Sequence, residues 1–226
     1  MPYFFPTRRD GDQVEILGND ARHLAGPLRA RVGERIAVVD PAGELLRVEL
    51  RSVSERVVAG VVVHAQRYDP EPKLQVTVAV AMLPAAALEH VLSRCTELGA
   101  AAFLLVSAGR SVARGAKPDR WSSICREAAM LAGRLRVPEV RGPVGFDELL
   151  AAPEVLVLDP EGTQPLSGAA LPGGALTLAI GPEGGWSPAE RESAGDRLVN
   201  LGPRTLRAET AAIAALTAAL LRAGDL

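Results

Sequence analysis

IGPEGGWSPAE at 180–190 and LGPRTLRAET at 201–210 decide how this chain is read. Each follows an apolar run of strand length, ALTLAIG (175–181) and RLVNLG (197–202), and each leads into a segment with helical signals. Ser187-Pro188-Ala189-Glu190 is a capping box with proline at the first helical position, so a helix starts there. Ile213, Leu216 and Leu220 share one face of a last helix that ends near Gly224. Strand, loop and helix in succession predict an α/β sheet, whose ligands bind outside the carboxyl ends of the strands. Gly181, Gly184, Gly185 and Gly202 allow backbone approaches that a Cβ would forbid, and Pro182 and Pro203 stiffen the loops. Two such loops at successive strand ends suggest one shared, backbone-lined site.

Upstream, the same rhythm continues to residue 74. LQVTVAVAML (74–83) is nearly continuous in apolar residues, as expected of a strand covered on both faces. Leu88, Val91, Leu92, Cys95 and Leu98 then recur at helical spacing, with Gly99 placed to end the helix. AAFLLVS (101–107) and VLVLDP (155–160) are further strands, and 118–136 reads as a helix. The alternation implies a largely parallel sheet with helices on both faces. Before residue 67 the pattern differs: VEIL (14–17), RIAVVD (35–40), LLRVEL (45–50) and RVVAGVVVH (56–64) are short β runs broken by turn residues, which predicts a small β domain. RYDPEPK (67–73) is the expected linker.

Composition narrows the function. With 226 residues and 48% hydrophobic content, the chain is large enough for a core or two. No apolar stretch reaches the roughly 18 residues of a membrane span, and MPYFFPTRRDGD lacks the order of a secretory signal, so a cytoplasmic protein is expected. Cys95 and Cys125 form no motif, and His23, His64 and His90 have no metal-ligand spacing, so no metal is expected. A net charge of −2 argues against indiscriminate nucleic-acid binding but not against a local basic patch. Of the 25 basic residues only Lys73 and Lys117 are lysine; arginine suits bidentate phosphate contacts, although genome composition produces the same bias. No G-x-x-x-x-G-K-[ST] occurs, and GPEGG lacks the G-x-G-x-x-G spacing, which disfavours ATP hydrolysis and NAD chemistry. Glu183 within the glycine loop repels phosphate and favours a neutral or cationic ligand.

IGPEGG followed about twenty residues later by LGPRTLRAETAA, together with HL at 23–24, LR at 28–29, TELG at 96–99 and VPEV at 137–140, resembles the RsmE family. These are the 16S ribosomal RNA (uracil-N3)-methyltransferases of the SPOUT superfamily. The resemblance implies a PUA-like β-barrel over 1–70 and a trefoil-knotted α/β domain over 73–226. It also implies S-adenosyl-L-methionine (SAM) as methyl donor, a homodimer, and 16S rRNA in the small ribosomal subunit as partner. By the same resemblance Ile180, Gly181, Pro182, Glu183, Gly184 and Gly185 form one wall of the cofactor site, Leu201, Gly202 and Leu206 another, and Leu158 a third. Arg207 and Glu209 fall at the reacting centre. N3–H of uracil must be lost before N3 attacks the methyl carbon, so Arg207 fits stabilisation of the developing anion and Glu209 the proton acceptor or orienting group.

Simpler readings stand beside these. Glu209 and Thr210 fall in the first turn of a helix, where an acid and a hydroxyl are favourable without catalysis. Arg207 pairs equally well with Glu209 or Glu183, and Trp186 suits packing as well as base stacking. Arg8, Arg9, Arg29, Arg31, Arg110, Arg114 and Arg134 are candidates for RNA-backbone contact, or else ordinary surface arginines. Pro84-Ala85-Ala86-Ala87 and Met130-Leu131-Ala132-Gly133 stand where the family pattern carries a lysine and a glutamine. Two alternatives therefore stay open: a catalytically divergent RNA-binding or assembly factor of the same fold, and a methyltransferase acting on another RNA.

Overall fold

A computed structural model of the chain describes residues 2–111, 115 and 117–226. Its strands are β1 (Arg8–Asp10), β2 (Gln13–Leu17), β3 (Arg35–Asp40), β4 (Glu44–Val53), β5 (Val57–Arg67), β6 (Gln75–Ala81), β7 (Ala102–Ser107), β8 (Glu139–Gly145), β9 (Val155–Leu158), β10 (Gln164–Pro165), β11 (Ala175–Ile180) and β12 (Leu198–Asn200). The helices are α1 (Gly18–Ala25), α2 (Ala85–Leu98), α3 (Pro118–Ala132), α4 (Phe146–Leu150), α5 (Pro188–Ala194) and α6 (Ala208–Ala223). Two compact units result: Met1–Glu71 with Ala129–Arg136, and Pro72–Ala128 with Val137–Leu226. A linear boundary near 70–73 does not anticipate that 129–136 belongs with the first unit.

The first unit is an antiparallel sheet ordered β1-β2-β5-β4-β3. Along β4, Leu46, Val48 and Leu50 are buried while Arg47 and Arg51 face out, the alternation of a half-buried strand. On β5 a Cβ at Gly60 would lie 2.6 Å from the Glu49 carbonyl oxygen, so only glycine fits there. The 129–136 segment is held by side chains: Tyr68 donates its hydroxyl to the Gly133 carbonyl at 2.8 Å, and Arg134 pairs with Glu71, whose Oε1 also accepts the Leu135 N–H at 2.8 Å. Gly133, with φ +71°, follows directly on the end of α3 at Ala132, four residues short of the sequence expectation.

The second unit is a seven-stranded sheet ordered β10-β12-β9-β11-β6-β7-β8, parallel throughout. The largely parallel sheet read from the sequence is the one observed. Its two faces differ. Val76, Val78, Val80, Phe103, Leu105, Leu176, Leu178 and Ile180 pack with α2 and α6 through Leu88, Leu92, Leu216 and Leu220. On the other face Ala79, Ala81 and Ala179 leave room for Trp186, which packs with Phe146 and Leu149 of α4 and Ala194 of α5. Small residues on the strands are what admit an indole there. Helix ends follow the sequence signals: the Ser187–Glu190 capping box opens α5, and Gly99 and Gly224 close α2 and α6 in the left-handed region. Burial pushes the Cys95 thiol up to about 12, which marks a packing residue and not a nucleophile.

Candidate active site

The carboxyl ends of β9, β11 and β12 open onto one cleft of about 560 Å³. Its walls are Leu158, Ile180, Leu201 and Leu206, the loop residues Gly181, Pro182, Glu183, Gly185 and Gly202, and Arg207. All of these were singled out in the sequence. Pro182–Gly185 closes as a tight turn in which the Gly185 N–H donates to the Pro182 carbonyl at 2.8 Å, and Gly185 takes φ +68°. Such a φ disfavours any residue with a Cβ. At Gly181 the constraint is contact: a Cβ would lie 3.1 Å from the Trp186 indole. That indole is fixed, donating from Nε1 to the Leu158 carbonyl at 3.0 Å and lying 4.9 Å from the Phe146 ring. Trp186 is thus a buried packing residue beneath the loop that also borders the cleft.

Gly184 lies outside the cleft lining; its carbonyl faces Arg110 instead, at 2.9 Å from Nη1. Glu209 also lies off the lining, half-buried in the first turn of α6. Arg207 is the residue before α6, exposed, with its carbonyl accepting the Ala211 N–H at 2.8 Å. Neither Arg204 nor Arg207 forms an ion pair among the described residues. The cleft rim therefore combines two uncompensated guanidinium groups with the positive end of a 16-residue helix.

The sequence reading missed Asp159, Pro160, Arg204, Thr205, Ala208 and Ala211 in this wall. Arg204 and Thr205 lie inside the quoted LGPRTLRAET string, and Asp159 directly follows the β9 run, so strand-end position was a usable signal. Asp159 is buried; its Oδ1 accepts the Glu161 N–H at 2.8 Å, and its Oδ2 lies 3.0 Å from Arg191 Nε without an aligned N–H. Arg191 also reaches Glu161 at 2.7 Å, tying the turn after β9 to α5. Asn200 anchors the third loop: its Oδ1 accepts the Gly202 N–H at 2.9 Å and its Nδ2 donates to the Gly162 carbonyl at 2.7 Å.

The arginines expected to meet RNA fall in different settings. Arg8 is exposed beside Glu15 at 3.8 Å. Arg29 is exposed with φ +51°, and Arg31 is exposed. Arg9 is held at 2.6 Å by both Asp40 and Glu44, which raise its pKa further through hydrogen bonding. Arg134 is only 5% exposed and paired with Glu71, a structural clamp in the first unit. A guanidinium so enclosed does not present itself to a phosphate, and the RNA-facing expectation is corrected at that position. Arg114 lies outside the described residues.

The chain as a whole resembles known proteins. Residues 70–220 match the family model for the RNA methyltransferase domain. The chain is 34% identical to ribosomal RNA small subunit methyltransferase E of Mycobacterium tuberculosis, over 96% of this chain and 90% of that protein. The chain belongs to the ribosomal RNA small subunit methyltransferase E family. The member from Bacillus subtilis is 32% identical, over 90% of this chain and 88% of its own length. The crystal structure of the Neisseria gonorrhoeae member, bound to S-adenosyl methionine, matches with a TM-score of 0.87 and 31% identity over 96% of both chains. The SPOUT-type α/β class read from the sequence agrees with membership of this methyltransferase E family, and the antiparallel first unit fits a PUA-like domain.

Proposed function

We propose that this chain transfers a methyl group from SAM to N3 of a uridine in the 16S rRNA of the small ribosomal subunit. The observation that carries the reading is the convergence of the glycine loop, four apolar side chains and Arg207 on one cleft. The residues present fit the donor. Leu158, Ile180, Leu201 and Leu206 suit the flat faces of an adenosine, and the Pro182–Gly185 turn offers main-chain groups to its edges. Glu183 would repel a phosphate but favours the cationic, phosphate-free methionine portion of SAM. When bound, SAM supplies an electrophilic methyl group on a sulfonium.

The chain's own residues provide the rest. Arg207 stabilises the anion that develops on the uracil ring as the N3 proton leaves, and the free N–H groups of the first turn of α6 reinforce it. Glu209, off the cleft lining, acts as the orienting group or as the proton acceptor once substrate is present. The cleft walls hold the acceptor in line with the transferring methyl, which needs alignment more than a covalent intermediate.

The proposal extends to the assembly: residues 1–70 as a PUA-like RNA-binding domain using Arg8, Arg29 and Arg31, residues 73–226 as the catalytic domain, a homodimer, and a cytoplasmic location. It includes a trefoil knot at the cleft. Sheet order supports the knot, because β11 and β12 flank β9 on opposite sides while α6 returns to pack on β6 and β11. Among the described residues no helix is long and apolar enough to cross a membrane, and no cluster of metal-ligating side chains occurs. The deciding experiment is transfer of labelled methyl from SAM to small subunits lacking the modification, with the product mapped to a uridine N3. SAM binding without transfer to any RNA would sink the reading, and a product mapped to a different RNA would replace its substrate.

A further inference from the structure

The loop that follows β7 bears on the glycine loop from outside the cleft. Its Gly109 N–H donates to Glu190 Oε1 at 2.8 Å, while Glu190 Oε2 accepts the Ser187 N–H at 2.7 Å. One buried carboxylate thus joins the post-β7 loop to the start of α5. The next residue, Arg110, donates from Nη1 to the Gly184 carbonyl at 2.9 Å across 74 residues of sequence. A Cβ on Gly184 would lie 3.4 Å from the Arg110 Cβ, so the side chain runs along the outer surface of the turn.

Gly184 and Gly185 have the greatest backbone freedom of any residue pair. The Gly185 N–H to Pro182 carbonyl bond closes the turn, but by itself it is a single neutral hydrogen bond. The Gly184 carbonyl and the Gly185 N–H belong to the same peptide plane, so holding the oxygen also holds the N–H. A guanidinium donor makes a stronger bond to that oxygen than a neutral group would. We infer that Arg110 is a positioning residue for the cofactor loop, fixing the Gly184–Gly185 peptide in the orientation that lines the cleft. The Gly109–Glu190 bond holds Arg110 in reach. This assigns Arg110 a role on the SAM side of the site, in place of the RNA-backbone contact that its exposure and charge suggest. The inference rests on the SAM-binding reading above.

The test compares the full-length wild type with Arg110→Met, which keeps the aliphatic stem without a donor, and Arg110→Lys, which keeps a cation. SAM affinity is measured by calorimetry, and KM for SAM, kcat and affinity for unmodified small subunits are measured alongside. Arg110→Met is expected to raise both the Kd and the KM for SAM about three- to tenfold, the effect of one charge-assisted hydrogen bond at a partly exposed site. Arg110→Lys should recover part of the loss, with kcat at saturating SAM and subunit affinity holding within about twofold. Unchanged SAM affinity in Arg110→Met overturns the inference, and a fall in subunit affinity instead would return Arg110 to the RNA side. Failure of the wild type itself to bind SAM would be seen before any variant, and would remove the functional reading along with this inference.

Discussion

Two arginines of the first unit and two of the cleft carry the same charge in opposite circumstances. Arg9 and Arg134 are enclosed by Asp40, Glu44 and Glu71, whereas Arg204 and Arg207 stand at a rim with no carboxylate partner among the described residues. A paired, buried guanidinium contributes to the fold: removing it strands a desolvated carboxylate. An unpaired guanidinium at a cleft contributes little to folding, but its field is available to a charge that appears only during reaction. Arginine content alone, so marked in this chain, does not separate the two; the placement of acidic neighbours does.

The contrast breaks most sharply at Arg207. Arg207→Ala should lower kcat for methyl transfer by about 100-fold or more, with SAM affinity and melting temperature nearly unchanged. Equal turnover in the variant would end its catalytic assignment. Arg134→Ala should do the reverse, costing about 3 kcal/mol of stability in chemical denaturation, because Glu71 loses its counter-charge and keeps only backbone N–H partners. A stable Arg134→Ala protein with weakened subunit binding would show that the clamp is not its main role.

Within the cleft, Gly181→Val should weaken SAM binding about tenfold, because the new side chain meets an indole fixed by Leu158 and Phe146. Gly184→Ala meets only ordinary contact distance at a residue without a left-handed φ, so its effect on SAM affinity by calorimetry should stay below about twofold. Comparable losses at both positions would show that the loop acts through flexibility and not through contact. The smallest effect belongs to Arg8→Ala: stability should change by less than about 0.5 kcal/mol, since its pair with Glu15 is long and exposed. A drop in subunit affinity in that variant is the sign of an RNA-facing first unit.

Much of the second unit was legible because its signals are local. Continuous apolar runs marked β6, β7, β9 and β11, and the Ser187–Glu190 box marked α5 to the residue. β8 was not foreseen: its EVRGPVG run has no continuous apolar stretch, and at the sheet edge its proline costs no ladder bond. α1 was missed because Gly18 opens it and its Leu17 cap position makes no side-chain bond, leaving no start signal. Most of the cleft lining falls within the two quoted strings, because loops at strand ends carry their signal in glycine and proline.

The sequence by itself determined the strand-loop-helix rhythm, the membership of a methyltransferase family and the identity of the cleft's glycine loop. Each depends on residues close together along the chain, where conformational preference acts directly. Only the tertiary structure decided which arginines are enclosed, that Arg110 reaches Gly184 and not solvent, that Glu209 stands off the cleft, and that 129–136 joins the first unit. Those outcomes turn on partners 31 or more residues away or on which face of a helix meets the cleft, and charge pairing and burial are properties of neighbourhoods that no local string encodes.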